Sequence, residues 1–232
     1  MGAPWGEYNP PVSEALLALF AKAPLPGQVK TRLCPPLSPS EAASLYQAML
    51  LDILDQHASL EGAKRVLWYT PPEAASWFER FAPPGYALRP QQGADLGARM
   101  RRLFRTHVQE GFGRIVLRGT DSPTLPLEHV ASAFEALERV DLVLCPDRDG
   151  GYNLIGLRRP CDALFELEMS TARVLERTVA RASEAGLCVE MLPPHHDVDT
   201  AQDLAGIRNE LSEALTPRTL EWLRNTRASI ES

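Results

Sequence analysis

The chain has 232 residues, 44% of them apolar, enough for one large or two small domains with a real core. Its formal net charge is −6 with no basic stripe, which excludes the electrostatic footprint of a nucleic-acid binder. No apolar run approaches the ~20 residues that cross a bilayer.

Cys34, Cys145, Cys161 and Cys188 form no Cys-x-x-Cys pair, so they are read as reduced thiols in a cytoplasmic protein. Residues 1–14, with Pro4, Pro10 and Pro11, lack the basic start and apolar centre of a signal peptide. They are expected to be a flexible tail before a domain of residues 15–210, with residues 211–232 as a helical extension.

In chain order, the apolar run Ala15 to Phe20 predicts a buried strand that feeds the loop Ala21 to Leu33. Ser38-Pro39-Ser40-Glu41 has the form of a capping box with proline at the first helical position. The helix behind it carries Ala42, Leu45, Tyr46, Met49, Ile53 and Leu54 at helical spacing. Val66 to Tyr69 predicts a strand, Glu73 to Phe81 a short helix, and Tyr86 to Gln91 another strand. Asp95 can cap a helix that runs to about Glu110. Ile115-Val116-Leu117 predicts a central strand, followed by a helix over about Leu127 to Glu138 and a strand over Val140 to Cys145. Asp149-Gly150-Gly151 turns into an antiparallel strand, Tyr152 to Leu157. A helix from Ser170 to about Glu184, a strand from Leu187 to Leu192, a helix opened by Thr200 and Asp203, and a last helix from Pro217 complete the chain. Strands alternating with helices predict a single α/β domain around a mostly parallel sheet.

Three stretches can carry chemistry. Gly119-Thr120-Asp121-Ser122-Pro123 directly follows the central strand, in the crevice where open α/β sheets bind ligands. Asp121 either holds a metal there or caps the next helix. Lys30 and Arg32 lie on a proline- and glycine-shaped loop past the first strand, where cations and backbone amides can meet phosphate. Gly27-Gln28-Val29-Lys30-Thr31 is superficially like the end of a Walker A loop. Val29 stands where that motif needs glycine, which excludes a P-loop. Asp197-Val198-Asp199 follows the last strand. In a bend both carboxylates can face one cation, or one can bind while the other caps. His195 and His196 adjoin this pair; they are a poor zinc signal and read first as solvated loop histidines, with a contribution of either one as a metal ligand the alternative.

Together with Phe20-Ala21-Lys22-Ala23-Pro24, Pro26-Gly27, Lys30-Thr31-Arg32-Leu33, Gly93-Ala94-Asp95-Leu96-Gly97-Ala98-Arg99-Met100, Asp149-Gly150-Gly151-Tyr152 and Ser170-Thr171, these motifs resemble a known family. It is the bacterial GT-A-type transferases named as glycosyltransferases associated with radical-SAM and selenoprotein genes, some of them labelled for arsenosugar biosynthesis. The resemblance covers about residues 15–206. More distantly the chain is similar to guanylyltransferases that build a phospholactate-derived cofactor and share the Lys-Thr-Arg-Leu loop and the late Asp-x-Asp. Met169 and Asn153 depart from the family pattern, in its acceptor half.

The resemblance implies a Rossmann-like nucleotide-diphospho-sugar transferase fold with helices on both faces of the sheet, and Mg²⁺ or Mn²⁺ on Asp121, Asp197 and Asp199. Lys30, Arg32 and Asp121 would be the catalytic groups. Ala21, Lys22, Gly27, Lys30, Arg32, Gly93, Leu96, Gly97 and Arg99 would bind the nucleotide. Asp149, Gly150, Gly151, Tyr152, Ser170 and Thr171 would face a small-molecule acceptor. The expected activity is glycosyl transfer from a nucleotide-sugar. The alternative is nucleotidyl transfer from an NTP to a phosphorylated acceptor with release of pyrophosphate, against which stands the single glycine of the loop Ala23 to Gly27. A non-catalytic nucleotide-binding module is the third reading. On the metal-binding reading, Asp121→Asn leaves the metal-free melting temperature nearly unchanged.

Overall fold

The structure is a computed structural model that describes residues 14–169 and 171–230, without the side chains of 227–230. Apart from Glu14, the expected N-terminal tail lies outside the described residues, and so does Ser170.

The first apolar run forms β1 (Ala15–Lys22), whose continuous hydrophobicity suits a strand covered on both faces. Alternation along the strand sends its side chains into separate cores. Leu16 and Ala18 pack with Met100, Leu103 and Phe104 of α3 (Leu96–Gln109) and Ala182 of α5 (Val174–Glu184). On the opposite face Leu17 packs with Val130, Ala133 and Phe134 of α4 (Leu127–Ala136), and Leu19 with Tyr46, Leu50 and Ile53 of α1 (Pro39–Ala58). Each fully buried leucine contributes roughly 1.5–3 kcal/mol. The result is three layers with helices on both sides of one sheet.

That sheet has seven strands in the order β3-β2-β1-β4-β6-β5-β7. The other six are β2 (Ala63–Thr70), β3 (Tyr86–Pro90), β4 (Arg114–Arg118), β5 (Leu142–Pro146), β6 (Tyr152–Leu157) and β7 (Val189–Met191). All pairings are parallel except those of β6, which runs antiparallel to β4 and β5 as its hairpin turn predicts. The chain winds outward from β1 to β2 on one side and returns to β4 on the other. The crevice beyond the carboxyl ends of β1 and β4 is therefore the topological switch point of the sheet.

The Ser38 capping box forms: Ser38 Oγ accepts from the amide of Glu41 at 3.2 Å, and Glu41 Oε2 accepts from the amide of Ser38 at 2.8 Å. Two helices start later than their sequence patterns suggest. Glu73 to Phe81 divides into a 3₁₀ turn (Pro72–Ala74) and α2 (Ala75–Phe81). The helix expected from Ser170 begins at Val174, because the amide of Leu175 donates to the carbonyl of Gly150 at 2.9 Å and ties this first turn to the β5–β6 turn. Near the carboxyl terminus, α6 (Ala201–Gly206) and α7 (Pro217–Ile230) cover the outer side of α1. The buried carboxylate of Asp52 on α1 accepts from the amides of Arg218 and Thr219, at 3.1 and 2.8 Å. A negative charge at the amino end of α7 complements both its orphan amides and its dipole.

Candidate active site

The carboxyl ends of β1 and β4 are tied by one hydroxyl relay. Tyr46 Oη on α1 accepts from the amide of Lys22 at 3.0 Å and lies 2.8 Å from Thr120 Oγ1, which donates to the carbonyl of Phe20 at 3.0 Å. Burial, with Asp121 behind it, pushes the Tyr46 phenol up to about 12, so it remains a neutral donor. Arg118, buried at the end of β4, holds the following loop by donating to the carbonyls of Gly119 (3.2 Å) and Ser122 (2.7 Å). Ser122 Oγ donates to the carbonyl of His196 at 2.7 Å, and the amide of Val198 donates to the carbonyl of Asp121 at 2.9 Å. The loop after β4 and the segment after β7 are thereby stitched into one surface.

Asp121, Asp197 and Asp199 all open onto a cleft of about 560 Å³ at this switch point. No side chain caps α4, whose first turn follows Pro126, so Asp121 is not its cap. The cap of α6 is Thr200, with Asp203 returning a bond to the Thr200 amide, so neither Asp197 nor Asp199 fills that role. No bend is needed to bring those two together. Val198 is buried against Leu33, Met49 and Ile207, and its neighbours on either side both reach the cleft. Residues i and i+2 of an extended segment share a face.

The Lys30 ammonium sits between these carboxylates rather than across the cleft from them. It pairs with Asp121 and lies 3.0 Å from Asp199 Oδ1, with its side chain 2% exposed. Burial alone would lower its pKa, but the Asp121 and then Asp199 charges outweigh burial and hold it above its ordinary value. Asp121 feels burial in the opposite sense, and Lys30 overcomes it and keeps the carboxyl below the usual range. Asp197 has no such partner. Burial, followed by the charges of Asp121 and Asp147, raises it well above an ordinary carboxyl, and its Oδ1 is buried without a hydrogen bond. Arg32 is exposed and reaches Asp199 at 3.4 Å and Asp149 at 4.0 Å.

Among the residues expected at the nucleotide, Ala21, Lys22, Lys30, Arg32, Leu96 and Arg99 line the cleft, while Gly27, Gly93 and Gly97 stand outside its lining. Gly93 accepts from Arg99 Nε at 3.2 Å, and Gly97 lies under the carbonyl of Phe165. Of the acceptor set, Gly151 and Tyr152 reach the cleft, and Asp149, Gly150 and Thr171 do not line it. Gly150, at φ +83°, packs against the backbone of Ala172. Tyr46, Gln91, Arg118 and Asn153 also line the cleft and were not singled out as site residues. Arg118 stands next to the Gly-Thr-Asp run, and a buried cation at a strand end is the signal that could have marked it. Tyr46 fits the apolar stripe of α1, and its hydroxyl has no periodic signature.

A sequence family described as "Uncharacterized protein conserved in bacteria (DUF2064)" matches residues 53–171. The chain belongs to this family. It is 34% identical over 206 residues to a 3-phospho-D-glycerate guanylyltransferase of Phenylobacterium zucineum, covering 83% of this chain and 92% of that relative. A 2-phospho-L-lactate guanylyltransferase of Methanothermobacter thermautotrophicus is 28% identical over 206 residues, covering 87% of each. A crystal structure from Desulfovibrio desulfuricans G20, provisionally assigned as a nucleotide-diphospho-sugar transferase, superposes with a TM-score of 0.87 at 35% identity, over 94% of this chain and 97% of that one. This DUF2064 protein thus has the nucleotide-diphospho-sugar transferase fold and is a transferase. The two relatives are named for nucleotidyl transfer, which favours the alternative activity over the leading expectation of glycosyl transfer. Among the described residues no helix is long and apolar enough to cross a membrane.

Proposed function

We propose that this protein transfers the nucleotidyl group of GTP to a small phosphorylated carboxylic acid and releases pyrophosphate. The observation that carries the reading is the buried Lys30 ammonium among Asp121, Asp197 and Asp199 at the switch point of the sheet. The names of the two guanylyltransferases add the donor base and the acceptor class.

In such a reaction an acceptor phosphate oxygen forms a bond to the α-phosphorus of the donor. The bond to the β-bridging oxygen breaks, and its electron pair leaves on pyrophosphate. A phosphate monoester is largely dianionic at neutral pH, with a second pKa near ~6, so no side chain is needed as a general base. Positioning and charge neutralisation remain for the protein to supply. Arg32, exposed at the cleft, suits bidentate contact with the leaving phosphates, and Lys30 acts as a fixed point charge. Leu96, 42% exposed, and Arg99 offer an apolar and a cationic contact to base or ribose.

A divalent cation fits the carboxylates. Asp197 Oδ1 is a buried oxygen without a partner, beside the further negative charges of Asp121 and Asp147. Asp121 and Asp197 would hold Mg²⁺ or Mn²⁺, with Asp199 beside them and Lys30 shared between Asp121 and Asp199. When bound, that ion neutralises charge on phosphate oxygens.

The single glycine of the loop weighs less than the sequence suggests. Lys30 itself is left-handed at φ 48°, alone among the described non-glycine residues, so the loop gains a second left-handed residue without a second glycine. Strain of this kind concentrates at ligand sites. Glycosyl transfer in the same cleft is the second reading, favoured by the assignment of the Desulfovibrio structure.

The test is pyrophosphate release with GTP, ATP, CTP and UTP against 3-phosphoglycerate, 2-phospholactate and phosphoenolpyruvate, beside a thermal-shift panel with and without Mg²⁺. GTP-dependent pyrophosphate release is the expected result. Stabilisation by UDP- or GDP-sugars alone, with no pyrophosphate from any pair, would overturn it. Nucleotide binding that ignores metal and survives Asp121→Asn would instead indicate a non-catalytic module.

A further inference from the structure

Behind the cleft, three segments converge on a group of donors that no part of the proposed reaction uses. His195 and His196 lie in the connection between β7 and α6, Thr124 follows the Asp121 loop, and Glu210 follows α6. One ligand atom from each of His195, His196 and Glu210 lies within 4.8 Å of the others. His196 Nε2 is 3.5 Å from Glu210 Oε2. Thr124 Oγ1 stands between His195 Nε2, at 3.1 Å, and Glu210 Oε2, at 3.0 Å.

The 3.5 Å between His196 and Glu210 is close to the edge length of a tetrahedral site, and the remaining ligand atoms lie within 4.8 Å. With Zn–N and Zn–O distances of ~2.0–2.1 Å, ligand atoms around a four-coordinate zinc stand roughly 3.3 Å apart. A surface ion pair does not account for the arrangement. His196 is buried, its Nδ1 lacks any hydrogen-bond partner, and the two imidazole rings lie 4.7 Å apart between centres. His129 is close to His195, at 6.4 Å between ring centres, but its Nε2 is 3.1 Å from the carbonyl of Pro193, which leaves it outside the donor set. Glu210 is exposed enough to give an ion access from solvent.

We propose that His195, His196 and Glu210 form a second metal site, selective for a borderline transition ion such as Zn²⁺ over Mg²⁺, with Thr124 or water at the fourth position. Two imidazoles and a carboxylate are a nitrogen-rich set, which suits zinc and not the all-oxygen preference of magnesium. The site is separate from the Asp121/Asp197 pair and does not depend on the proposed reaction. Its placement gives it a structural role. An ion here would clip the loop that carries Asp121, through Thr124, to the segment that carries Asp197, through His196, and fasten both to the end of α6.

The experiment uses the full chain, freed of any histidine tag and stripped with chelator, titrated with Zn²⁺ and with Co²⁺ in the presence of excess Mg²⁺. Expected are one equivalent of bound Zn²⁺ by elemental analysis, the visible bands of four-coordinate Co²⁺, and a rise in melting temperature. Glu210→Gln, a surface change that leaves packing intact, and His195→Ala should each weaken Zn²⁺ by more than the ~10–100-fold that a lost outer-shell partner costs. Asp121→Asn should leave Zn²⁺ stoichiometry and the Co²⁺ bands unchanged, which separates this site from the catalytic carboxylates. Wild type without Co²⁺ bands or stoichiometric Zn²⁺, full retention of Zn²⁺ by Glu210→Gln, or loss of it in Asp121→Asn would each overturn the proposal.

Discussion

Lys30 Nζ and Asp199 Oδ1 meet at 3.0 Å although 169 positions separate them in the chain, and the same ammonium pairs with Asp121. Because Lys30 is enclosed while both carboxylates are 38–44% exposed at their side chains, removing Asp121 leaves a buried cation with one carboxylate partner in place of two. Breaking a buried pair costs ~3–5 kcal/mol, and solvent at Asp121 reduces this to an expected ~1–2 kcal/mol for Asp121→Asn. The metal-free protein should therefore melt lower than wild type, unlike the near-neutral expectation from sequence alone. Differential scanning calorimetry without metal checks this. In the pyrophosphate assay the same variant should lose roughly 100- to 1,000-fold in kcat, the scale of one lost electrostatic stabiliser.

The backbone at Lys30 has a separate, opposite signature. At φ 48° and ψ 37° an L side chain is strained by roughly 1–2 kcal/mol, a strain that glycine does not carry. Lys30→Gly and Lys30→Ala both lose the ammonium, so their difference isolates the backbone. Lys30→Gly is expected to be the more stable of the two by about 1 kcal/mol in urea unfolding, although glycine ordinarily destabilises relative to alanine. Equal midpoints, or alanine the more stable, would mean the loop relaxes out of the left-handed region when the ion pairs are gone.

Much of this arrangement is legible in the sequence, for local reasons. β1, the capping box at Ser38, the Asp95 and Thr200 caps and the antiparallel β6 each follow from a few adjacent residues, and each forms. The convergence of Asp121 with Asp197 and Asp199 follows from the ends of like-directed strands in one mostly parallel sheet. The ion pairing of Lys30 inside that group does not, because it depends on a left-handed turn that no residue type announces. The roles of Gly97 and Gly150 were equally hidden. A glycine that permits close backbone approach reads the same in sequence as one that cradles a phosphate, and only the position of the Phe165 and Ala172 carbonyls separates them.

Gly97 offers a direct check of that distinction. A Cβ there would stand 2.4 Å from the carbonyl oxygen of Phe165, whose ring stacks on Phe104 at 5.5 Å between centres. Backbone must shift to admit it, so Gly97→Ala is expected to destabilise by ~1–3 kcal/mol, the usual range for overpacking. Nucleotide affinity should change little at temperatures where the variant is folded. A variant with normal stability and lost nucleotide binding would return Gly97 to the binding surface.

The acid side of the stability curve should carry the mark of His57. Its Nδ1 donates to the carbonyl of Ile53 at 2.9 Å, and its Nε2 faces Arg118 at 3.4 Å, so the ring must accept there as a neutral imidazole. Burial first, and the Arg118 charge second, push its pKa down to about 3. The unfolded chain binds a proton at this residue near ~6.5, so as pH falls from there toward about 3 the unfolded state gains protons that the native state refuses. Stability must then drop with falling pH across that window, by about 2 kcal/mol between pH 7 and pH 5 from this group alone. His57→Gln removes the titration whatever its offset at neutral pH. Urea melts across that range should show a shallower pH slope in the variant than in wild type, and identical slopes would mean that His57 titrates normally in the folded protein.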